Sequence, residues 1–325
     1  MGSAEIPVIG LVLPCFNEED ILATTAATLQ EEVAKLVTAG LISPLSKIYF
    51  VDDGSDDKTW SVISKLIDQH EAIVGIKLTR NYGHQYALYA GLMEAEGDAL
   101  ISLDADLQDD TSVIEDMVRA FSNGSEVVFG VRSNRTNDGL FKRWSAESHY
   151  WLSDLMGIDT IRNHADYRLM SRKAVNLLAD YREANLYLRG VVPLLGLESS
   201  EVYYKRNARA GGESKYSLRK MLSLSLKGIT SFSIMPLRCI TLMGVLVFGI
   251  SLVLGGWAVH AAIWGGGAVP GWASTVVPIY LLGGMQLLAI GIAGEYIGKT
   301  YMEVKNRPRY QIEKVKRADD ATVIR

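Results

Sequence analysis

The sequence predicts an α/β domain with a mainly parallel, doubly wound sheet, followed by a two-helix transmembrane hairpin. Two observations support this fold class. Within residues 6–131, short apolar runs alternate with segments of helical period, which is typical of strands and helices in a parallel sheet. Between Arg238 and Glu295 the chain contains no Asp, Glu, Lys or Arg. That apolar length suits two membrane-spanning helices of about 20 residues each.

The alternating part is expected to contain five strands and four helices. The predicted strands are 6–13, 47–51, 73–78, 99–103 and 126–131, and the predicted helices are 18–37, 57–69, 84–95 and 111–121. Side chains suited to N-capping precede two of the helices. Asp56 or Asp57 is expected to cap the second helix, and Ser112 with Glu115 has the spacing of a capping box.

The apolar stretch is divided by glycine and proline into two predicted spans, 235–263 and 274–297. Basic residues lie before the first span and after the second, and none lies in the turn between them. The positive-inside rule therefore puts both flanks in the cytoplasm and the turn outside. Leucines interspersed with Arg219, Lys220 and Lys227 before the first span predict an interfacial amphipathic helix. A soluble packing helix is the alternative for that segment.

These observations define four predicted regions: a cytoplasmic α/β domain at 1–212, the interfacial region at 213–232, the transmembrane hairpin at 233–298 and a cytoplasmic tail at 299–325. The protein is thus expected in the cytoplasmic membrane as a multi-pass protein. A net charge of −4 argues against a general nucleic-acid binder. Cys15 and Cys239 suggest no disulfide framework. Glycines in the spans permit contact within the hairpin or between copies of the chain, so the oligomeric state stays open.

Polar clusters follow three predicted strands at the points where the strands end. Glu18 follows the first strand, Asp52 and Asp53 the second, and Asp104 and Asp106 the fourth. The carboxyl ends of parallel strands meet at one edge of a sheet, so the clusters are expected to converge. Helix capping and a solvated acidic turn are the alternatives. The chain has neither a G-x-G-x-x-G nor a P-loop motif, which argues against dinucleotide binding and P-loop chemistry.

The cluster after the fourth strand predicts a metal site. Asp104, Asp106 and Gln108 stand at alternate positions and carry hard oxygen ligands of the kind that Mg²⁺ or Mn²⁺ prefers. Such an ion keeps several waters and binds substrate phosphates.

Four motifs in this order resemble those of family 2 glycosyltransferases of the GT-A fold. They are LPCFNEE at 13–19, VDDGSDDKT at 51–59, NYGHQ at 81–85 and DADLQ at 104–108. Within the family the chain is similar to polyprenyl-phosphate sugar transferases such as dolichyl-phosphate mannose synthase and GtrB-type bactoprenol glucosyltransferases. The resemblance covers nearly the whole chain. It implies a nucleotide-sugar donor, a divalent metal, a lipid-phosphate acceptor and inversion at the anomeric carbon.

The resemblance also implies roles for individual residues. The metal would be held by Asp104, Asp106 and Gln108. Residues implied to bind the nucleotide sugar are Pro14, Phe16, Glu18, Asp52 and Asp53, with Arg206 and Lys215 closing over its phosphates. The acceptor phosphate would be held by Arg132 and Arg143, and the strand that carries Arg132 is expected beside the strand that carries Asp104. Positive-inside anchoring is the alternative role for these basic residues.

One stretch departs from the family pattern. The sequence NHADYRL at 163–169 keeps Asp166 and Arg168 but has Ala165 where the family has glycine, and it lacks the upstream acid. Asp166 is a candidate catalytic base. A phosphate monoester is already anionic at neutral pH, with a second pKa of about 6, so it hardly needs a base. We therefore favour Asp166 as an orienting group for the sugar or for an arginine.

The predicted activity is inverting transfer of a hexose, with glucose from UDP-glucose favoured, to polyprenyl phosphate at the cytoplasmic membrane face. A GDP-mannose-dependent polyprenyl-phosphate mannosyltransferase is the first alternative. A processive polysaccharide synthase is a second, although the Gln-x-x-Arg-Trp stretch typical of those enzymes is absent. A third is a non-enzymatic membrane scaffold that binds nucleotide sugars.

Overall fold

The computed structural model describes residues 6–132, 164–181, 183, 187–205, 272–318 and 323–324, and scattered positions from 240 to 253. The chain divides into two compact units. The first comprises Met1–Asp154, Asp159–Tyr216 and Pro308–Arg325, and the second comprises Leu155–Ile158 and Ser217–Arg307.

The first unit is built on a sheet with the strand order β7-β5-β6-β4-β1-β2-β3-β8-β9 in the described part of the chain. Its first four strands are β1 (Ile9–Cys15), β2 (Lys47–Asp52), β3 (Ile73–Leu78) and β4 (Ala99–Ser102). They pair in parallel, with β1 in the centre between β2 and β4. The predicted mainly parallel α/β sheet is confirmed for these strands.

Helices cover both faces of this sheet. They are α1 (Leu22–Thr38), α2 (Thr59–Gln69), α3 (His84–Glu94) and α4 (Val113–Ser122). Apolar side chains of α1, α2 and α4 share one buried cluster with side chains of β1 and β2. On α3, a Cβ at Gly91 would stand 2.4 Å from Val12 Cγ1 and 2.7 Å from Val51 Cγ2. Glycine at that position therefore lets α3 approach the sheet closely.

The predicted helix starts were early where acidic residues make turns before the helix. The first helix begins at Leu22 and not at residue 18, and α4 begins at Val113. The expected capping box at Ser112 is wrong, because the Ser112 side chain makes no capping bond. Its hydroxyl donates to Asp110 Oδ1 at 2.7 Å instead. At α2, Asp57 Oδ1 does accept from the Thr59 backbone N–H at 2.9 Å.

The strands that follow α4 form a mixed parallel and antiparallel half of the sheet. These strands are β5 (Val127–Arg132), β6 (His164–Ser171) and β7 (Ser199–Tyr204). β6 lies between β4 and β5 and is antiparallel to both, while β7 is parallel to β5. The expectation that the strand of Arg132 lies beside the strand of Asp104 is therefore wrong. The helices α5 (Arg172–Ala179) and α6 (Leu188–Leu194) follow β6 in the chain.

Residues from the predicted tail return to the sheet of the first unit. Strand β8 (Ile312–Lys316) pairs antiparallel with β3, and β9 (Val323–Ile324) pairs with β8. Lys77 Nζ lies 2.8 Å from Glu313 Oε2, and Lys316 Nζ lies 2.6 Å from Asp68 Oδ1. The predicted tail therefore completes the sheet at the edge of β3.

The second unit contains α7 (Trp272–Lys305), a helix of 34 residues that includes the predicted span 274–297. The interfacial segment 213–232 and most of the predicted span 235–263 lie outside the described residues. No helix in the described part of the chain is both long enough and apolar enough to cross a membrane. The structure thus does not show the predicted transmembrane hairpin.

Candidate active site

The predicted clusters after β1 and β2 come together at the carboxyl edge of the sheet. Cys15, the last residue of β1, is paired with Asp52, the last residue of β2. The loop after β1 is then fastened to the loop after β2. Glu18 donates its backbone N–H to Thr59 Oγ1 at 2.9 Å, and Asn17 donates its backbone N–H to Ser55 Oγ at 3.0 Å. Parallel pairing therefore brings two of the three clusters into contact.

The predicted nucleoside residues differ in how accessible their side chains are. Pro14 lies in β1 and is buried. Phe16, one residue past the strand, is 41% exposed. An exposed aromatic ring next to a buried strand end offers a flat surface on which a base can stack. Glu18 is half-buried in the loop that follows.

Asp52 presents a buried oxygen without a partner. Its carboxylate is fully buried, and Oδ1 accepts from the Ser55 backbone N–H at 3.0 Å. Oδ2 has no hydrogen-bond partner among the described residues. Burial raises the pKa of Asp52, although the Ser55 contacts oppose the rise. Buried polar groups are nearly always paired, so within the described part of the chain Oδ2 lacks a partner that a buried oxygen ordinarily has.

Asp53 accepts a backbone hydrogen bond with each of its carboxylate oxygens. Its Oδ1 accepts from the Tyr82 backbone N–H at 2.7 Å, and its Oδ2 accepts from the Gly83 backbone N–H at 2.9 Å. Burial raises its pKa, and these two bonds oppose the rise. Asp53 therefore fixes the loop that leads into α3.

Gly54 completes this contact. Its φ is +65°, and a Cβ there would stand 2.3 Å from the carbonyl carbon of Arg80. Only glycine lets the loop after β2 approach the loop before α3 so closely.

The predicted metal residues lie in the loop after β4. The Asp104 side chain is 34% exposed, and Asp106 Oδ1 accepts from the Gln108 backbone N–H at 3.2 Å. Leu107 between them has a φ of +52°, and Gln108 is buried. Burial raises the pKa of Asp104, His84 opposes the rise, and the carboxylates of Asp109, Asp166 and Asp106 add to it.

This donor set fits a divalent cation. The described residues contain no group of three or more His, Cys, Asp or Glu side chains placed to hold a metal. Mg²⁺ is commonly held by only one or two carboxylates, with waters and substrate phosphates as its other ligands. Crowding by three other carboxylates makes the charge on Asp104 unfavourable, and a cation would relieve it. Two carboxylates, Asp104 and Asp106, are therefore compatible with such an ion.

Asp166, on β6, is surrounded by cationic groups. Arg168 Nη2 donates to its Oδ1 at 2.7 Å, and Arg189 donates to both oxygens, from Nε at 3.2 Å and from Nη2 at 3.0 Å. His84 Nε2 lies 3.5 Å from its Oδ2. Burial alone would raise its pKa, but His84, Arg189 and Arg168 together hold the pKa well below the usual range. Asp166 therefore stays ionised at neutral pH and is unsuited to accept a proton.

His84 links Asp166 to the predicted metal residues. The same Nε2 atom lies 3.6 Å from Asp104 Oδ1, so one imidazole nitrogen is shared between the two carboxylates. Burial would lower its pKa, but the hydrogen bond to Asp166 and the charge of Asp104 raise it overall. The next residue, Gln85, donates to Asp166 Oδ2 at 3.2 Å. The motif at 81–85 was part of the resemblance, but no role was predicted for either side chain.

Arg132, at the end of β5, also faces the loop after β4. Its Nε donates to the Tyr204 hydroxyl at 3.2 Å, and that hydroxyl donates to Asp109 Oδ1 at 2.7 Å. Arg132 Nη2 also lies 3.7 Å from Asp109 Oδ1. Asp109 directly follows Gln108, so Arg132 contacts the loop after β4 both directly and through Tyr204. The other predicted basic residues, Arg143, Arg206 and Lys215, lie outside the described residues. Sequence reasoning did not find Asp109, Tyr204 or Arg189.

Comparison with known proteins identifies the family. The model of the family described as "Glycosyl transferase family 2" matches residues 11–191, which include the loops after β1, β2 and β4 and the Asp166 cluster. The chain belongs to glycosyl transferase family 2. The resemblance found in the sequence is thus confirmed.

Relatives of this family 2 glycosyltransferase match it over almost its full length. The glycosyltransferase YkoT of Bacillus subtilis is 48% identical over 94% of this chain and 91% of its own. The prophage bactoprenol glucosyl transferase homolog of Escherichia coli is 40% identical over 95% of this chain and 99% of its own. The SfII prophage-derived bactoprenol glucosyl transferase of Shigella flexneri is 40% identical over 96% of this chain and 99% of its own.

Proposed function

We propose that this glycosyltransferase transfers a hexose from a nucleotide sugar to a polyprenyl phosphate, with inversion, at the cytoplasmic face of the membrane. The observation that carries the proposal is the arrangement at the carboxyl edge of the sheet. A buried, unpaired oxygen of Asp52 lies after β2, and the Asp104–Asp106 pair lies after β4. Relatives named bactoprenol glucosyl transferase that match over nearly the whole chain support a lipid carrier as the acceptor.

The donor is proposed to bind with its nucleoside between the loops after β1 and β2. Phe16 offers an exposed ring for the base, and Asp52 Oδ2 accepts a hydrogen bond from the base or the ribose. A ligand N–H or O–H at that oxygen would offset part of the cost of burying it. Asp53 contributes indirectly, because it fixes residues 82 and 83 beside this pocket.

The diphosphate is proposed to lie over the loop after β4. Asp104 and Asp106, with Gln108, would hold Mg²⁺ or Mn²⁺, which when bound supplies positive charge for the leaving nucleoside diphosphate. Arg206 and Lys215 are proposed to add fixed charge to the same phosphates.

The acceptor phosphate is proposed to bind at Arg132 and Arg143. The Arg132 side chain is 29% exposed, and its guanidinium is oriented by the Tyr204 hydroxyl and by Asp109. An acceptor oxygen forms the new bond to the anomeric carbon while the bond from that carbon to the diphosphate breaks, and the diphosphate takes the electron pair. No proton needs to be removed, because the phosphate monoester is already anionic. This agrees with an Asp166 that stays ionised and orients arginines.

Glucose from UDP-glucose is proposed as the sugar, since two of the relatives carry glucosyl transferase in their names. The acceptor's apolar tail stays in the bilayer, so the charge-free stretch from 239 to 294 is proposed to anchor the enzyme as two spans with both flanks in the cytoplasm. A single cysteine at Ser274, in a background without Cys15 and Cys239, should label from outside intact cells. Labelling of a cysteine placed in residues 6–132 would refute this topology.

The decisive experiment is turnover by the full chain in detergent. UDP-glucose, UDP-galactose, UDP-N-acetylglucosamine, GDP-mannose and GDP-glucose are each offered with polyprenyl phosphate, and glycolipid and nucleoside diphosphate are both measured. Glycolipid formed from UDP-glucose with a 1:1 yield of UDP is the expected result. Glycolipid formed only from GDP-mannose would make the enzyme a mannosyltransferase. Binding of donors without turnover would refute the proposed function.

A further inference from the structure

Arg189, at the start of α6, has a geometry that a structural role alone does not explain. Asp166 holds the guanidinium from one side, through Nε and Nη2, at 3.2 and 3.0 Å. The arginine side chain nevertheless remains 40% exposed. Its Nη1 has no hydrogen-bond partner among the described residues. Asp166 thus fixes the plane of the guanidinium and leaves the edge that carries Nη1 available to donate hydrogen bonds to a ligand.

The attachment of α6 to β6 does not depend on Arg189. The buried Arg168 donates from Nη1 to the Leu188 carbonyl at 3.2 Å and from Nη2 to Asp166 at 2.7 Å. Gln85 accepts from the Leu188 backbone N–H at 3.0 Å and donates to Asp166. Two buried or half-buried side chains already join the start of α6 to the Asp166 carboxylate. A third side chain, the half-exposed Arg189, would add little to that attachment.

The position of Arg189 places it next to the proposed diphosphate site. His84 Nε2 lies 3.5 Å from Asp166 Oδ2 and 3.6 Å from Asp104 Oδ1, so the Asp166–Arg189 pair shares one imidazole nitrogen with a proposed metal ligand. The guanidinium has five N–H donors in a fixed plane, which suits two-point binding to phosphate oxygens. Asp166 neutralises one charge, but the charge of buried Arg168 offsets that carboxylate, so the group remains cationic overall.

We propose that Arg189, oriented by Asp166, binds a phosphate oxyanion of a substrate. This inference rests on the proposed function, which supplies two sources of such an oxyanion: the diphosphate of the donor and the monoester of the acceptor. Asp166 acts as a positioning residue, because it sets the direction in which the arginine presents its free edge.

The test compares Arg189→Lys and Arg189→Ala with wild type in the full chain. Calorimetry gives the affinities for UDP and for uridine in the presence of Mn²⁺, and initial rates give KM and kcat for polyprenyl phosphate. If the donor diphosphate is the ligand, UDP affinity falls about 10- to 100-fold in both variants, because a charge-assisted contact is lost. Uridine affinity stays unchanged. If the acceptor is the ligand, KM for polyprenyl phosphate rises by a similar factor while UDP affinity holds.

The lysine variant distinguishes geometry from charge, since lysine keeps the charge but cannot reproduce the two-point contact. Arg119→Ala, on the exposed face of α4, is the matched control and should change none of these quantities. If both Arg189 variants keep wild-type UDP affinity and KM, the proposal is wrong, and a loss of thermal stability alone would show that Arg189 has only a structural role. A wild-type protein that binds UDP but glycosylates no lipid phosphate would refute the proposed function alone, and UDP affinity would still test Arg189.

Discussion

Replacing Asp166 with asparagine should destabilise the sheet domain by about 3 kcal/mol. The variant keeps the size of the side chain but removes the negative charge from a site where Arg168 is only 1% exposed. Removing one partner of a buried ion pair costs about 3–5 kcal/mol, because the other charge stays buried without compensation. The guanidinium of the half-exposed Arg189 can be solvated in the variant, so the loss of its ion pair adds at most about 1 kcal/mol to the destabilisation. Asparagine still accepts one hydrogen bond, so the low end of the range applies.

The assay is urea unfolding of the full chain in detergent, with midpoints compared at a common m-value. Asp68→Asn is the matched control, because Asp68 pairs with Lys316 at 2.6 Å but its side chain is 63% exposed. That variant should lose no more than about 1 kcal/mol. Adding Arg168→Met to Asp166→Asn should recover part of the loss, since the uncompensated charge is gone.

The pH dependence gives a second check of the same reasoning. The folded-state pKa of Asp166 is lowered, so its stabilising contribution is present above the unfolded pKa of about 3.9 and is lost as pH falls through the folded pKa. Asp166 also raises the pKa of His84, and the stability that this adds is lost as pH rises through the folded-state pKa of His84. The difference between wild type and Asp166→Asn should therefore be larger where His84 is protonated and should shrink to a constant value at higher pH. Equal losses for Asp166→Asn and Asp68→Asn would show that Asp166 carries no buried charge pair.

Three further predictions concern the carboxyl edge of the sheet. Asp106→Ala should abolish transfer and remove the Mn²⁺ dependence of nucleotide binding in calorimetry without lowering thermal stability; unchanged Mn²⁺ dependence would contradict the metal site. The folded-state pKa of Asp52 is raised, so the protein loses stability as pH rises through that pKa. Asp52→Asn should therefore stabilise the ligand-free protein at pH 7 by about 1 kcal/mol, and this gain in stability should vanish on acidification. The same variant should bind nucleotide more weakly than wild type. Gly54→Ala, with a positive φ and a Cβ against the Arg80 backbone, should destabilise by about 2 kcal/mol or more in urea unfolding, and a loss below 0.5 kcal/mol would contradict that contact.

The first half of the sheet could be predicted closely from the sequence, whereas the second half could not. Strands β1–β4 are buried on both faces, so each reads as an apolar run, and β3 was predicted at its observed bounds, Ile73–Leu78. β6 carries Asp166 and Arg168 at buried positions. Asp166 and Arg168 can be buried because they form an ion pair with each other. Charged residues are rarely buried unless they are paired, so the sequence of β6 does not predict a central strand. Its place between β4 and β5 depends on pairing between distant parts of the chain.

The candidate site was predictable where residue type alone decides the chemistry. Asp104 and Asp106 at a strand end predicted oxygen ligands, and the structure puts them in the loop after β4. Asp53 was expected to bind the donor, but both of its oxygens accept backbone N–H groups of the loop before α3. The sequence shows an acid at a strand end, but it does not show which neighbours the acid will bond. Arg189 was missed for the same reason, since its partner Asp166 lies on a different element.

The late position of β8 in the chain has a consequence for the folding of the domain during synthesis and for the solubility of its fragments. Ribosomes add residues from the amino terminus, and residues 312–316 emerge only after β1–β7 and the whole charge-free stretch. Until then β3 is an uncovered edge strand with open N–H and C=O groups, which is a known hazard for aggregation. A fragment that stops at residue 212 would keep that edge open permanently. We expect such a fragment to aggregate, and co-expression of a peptide covering residues 308–325 to restore its solubility.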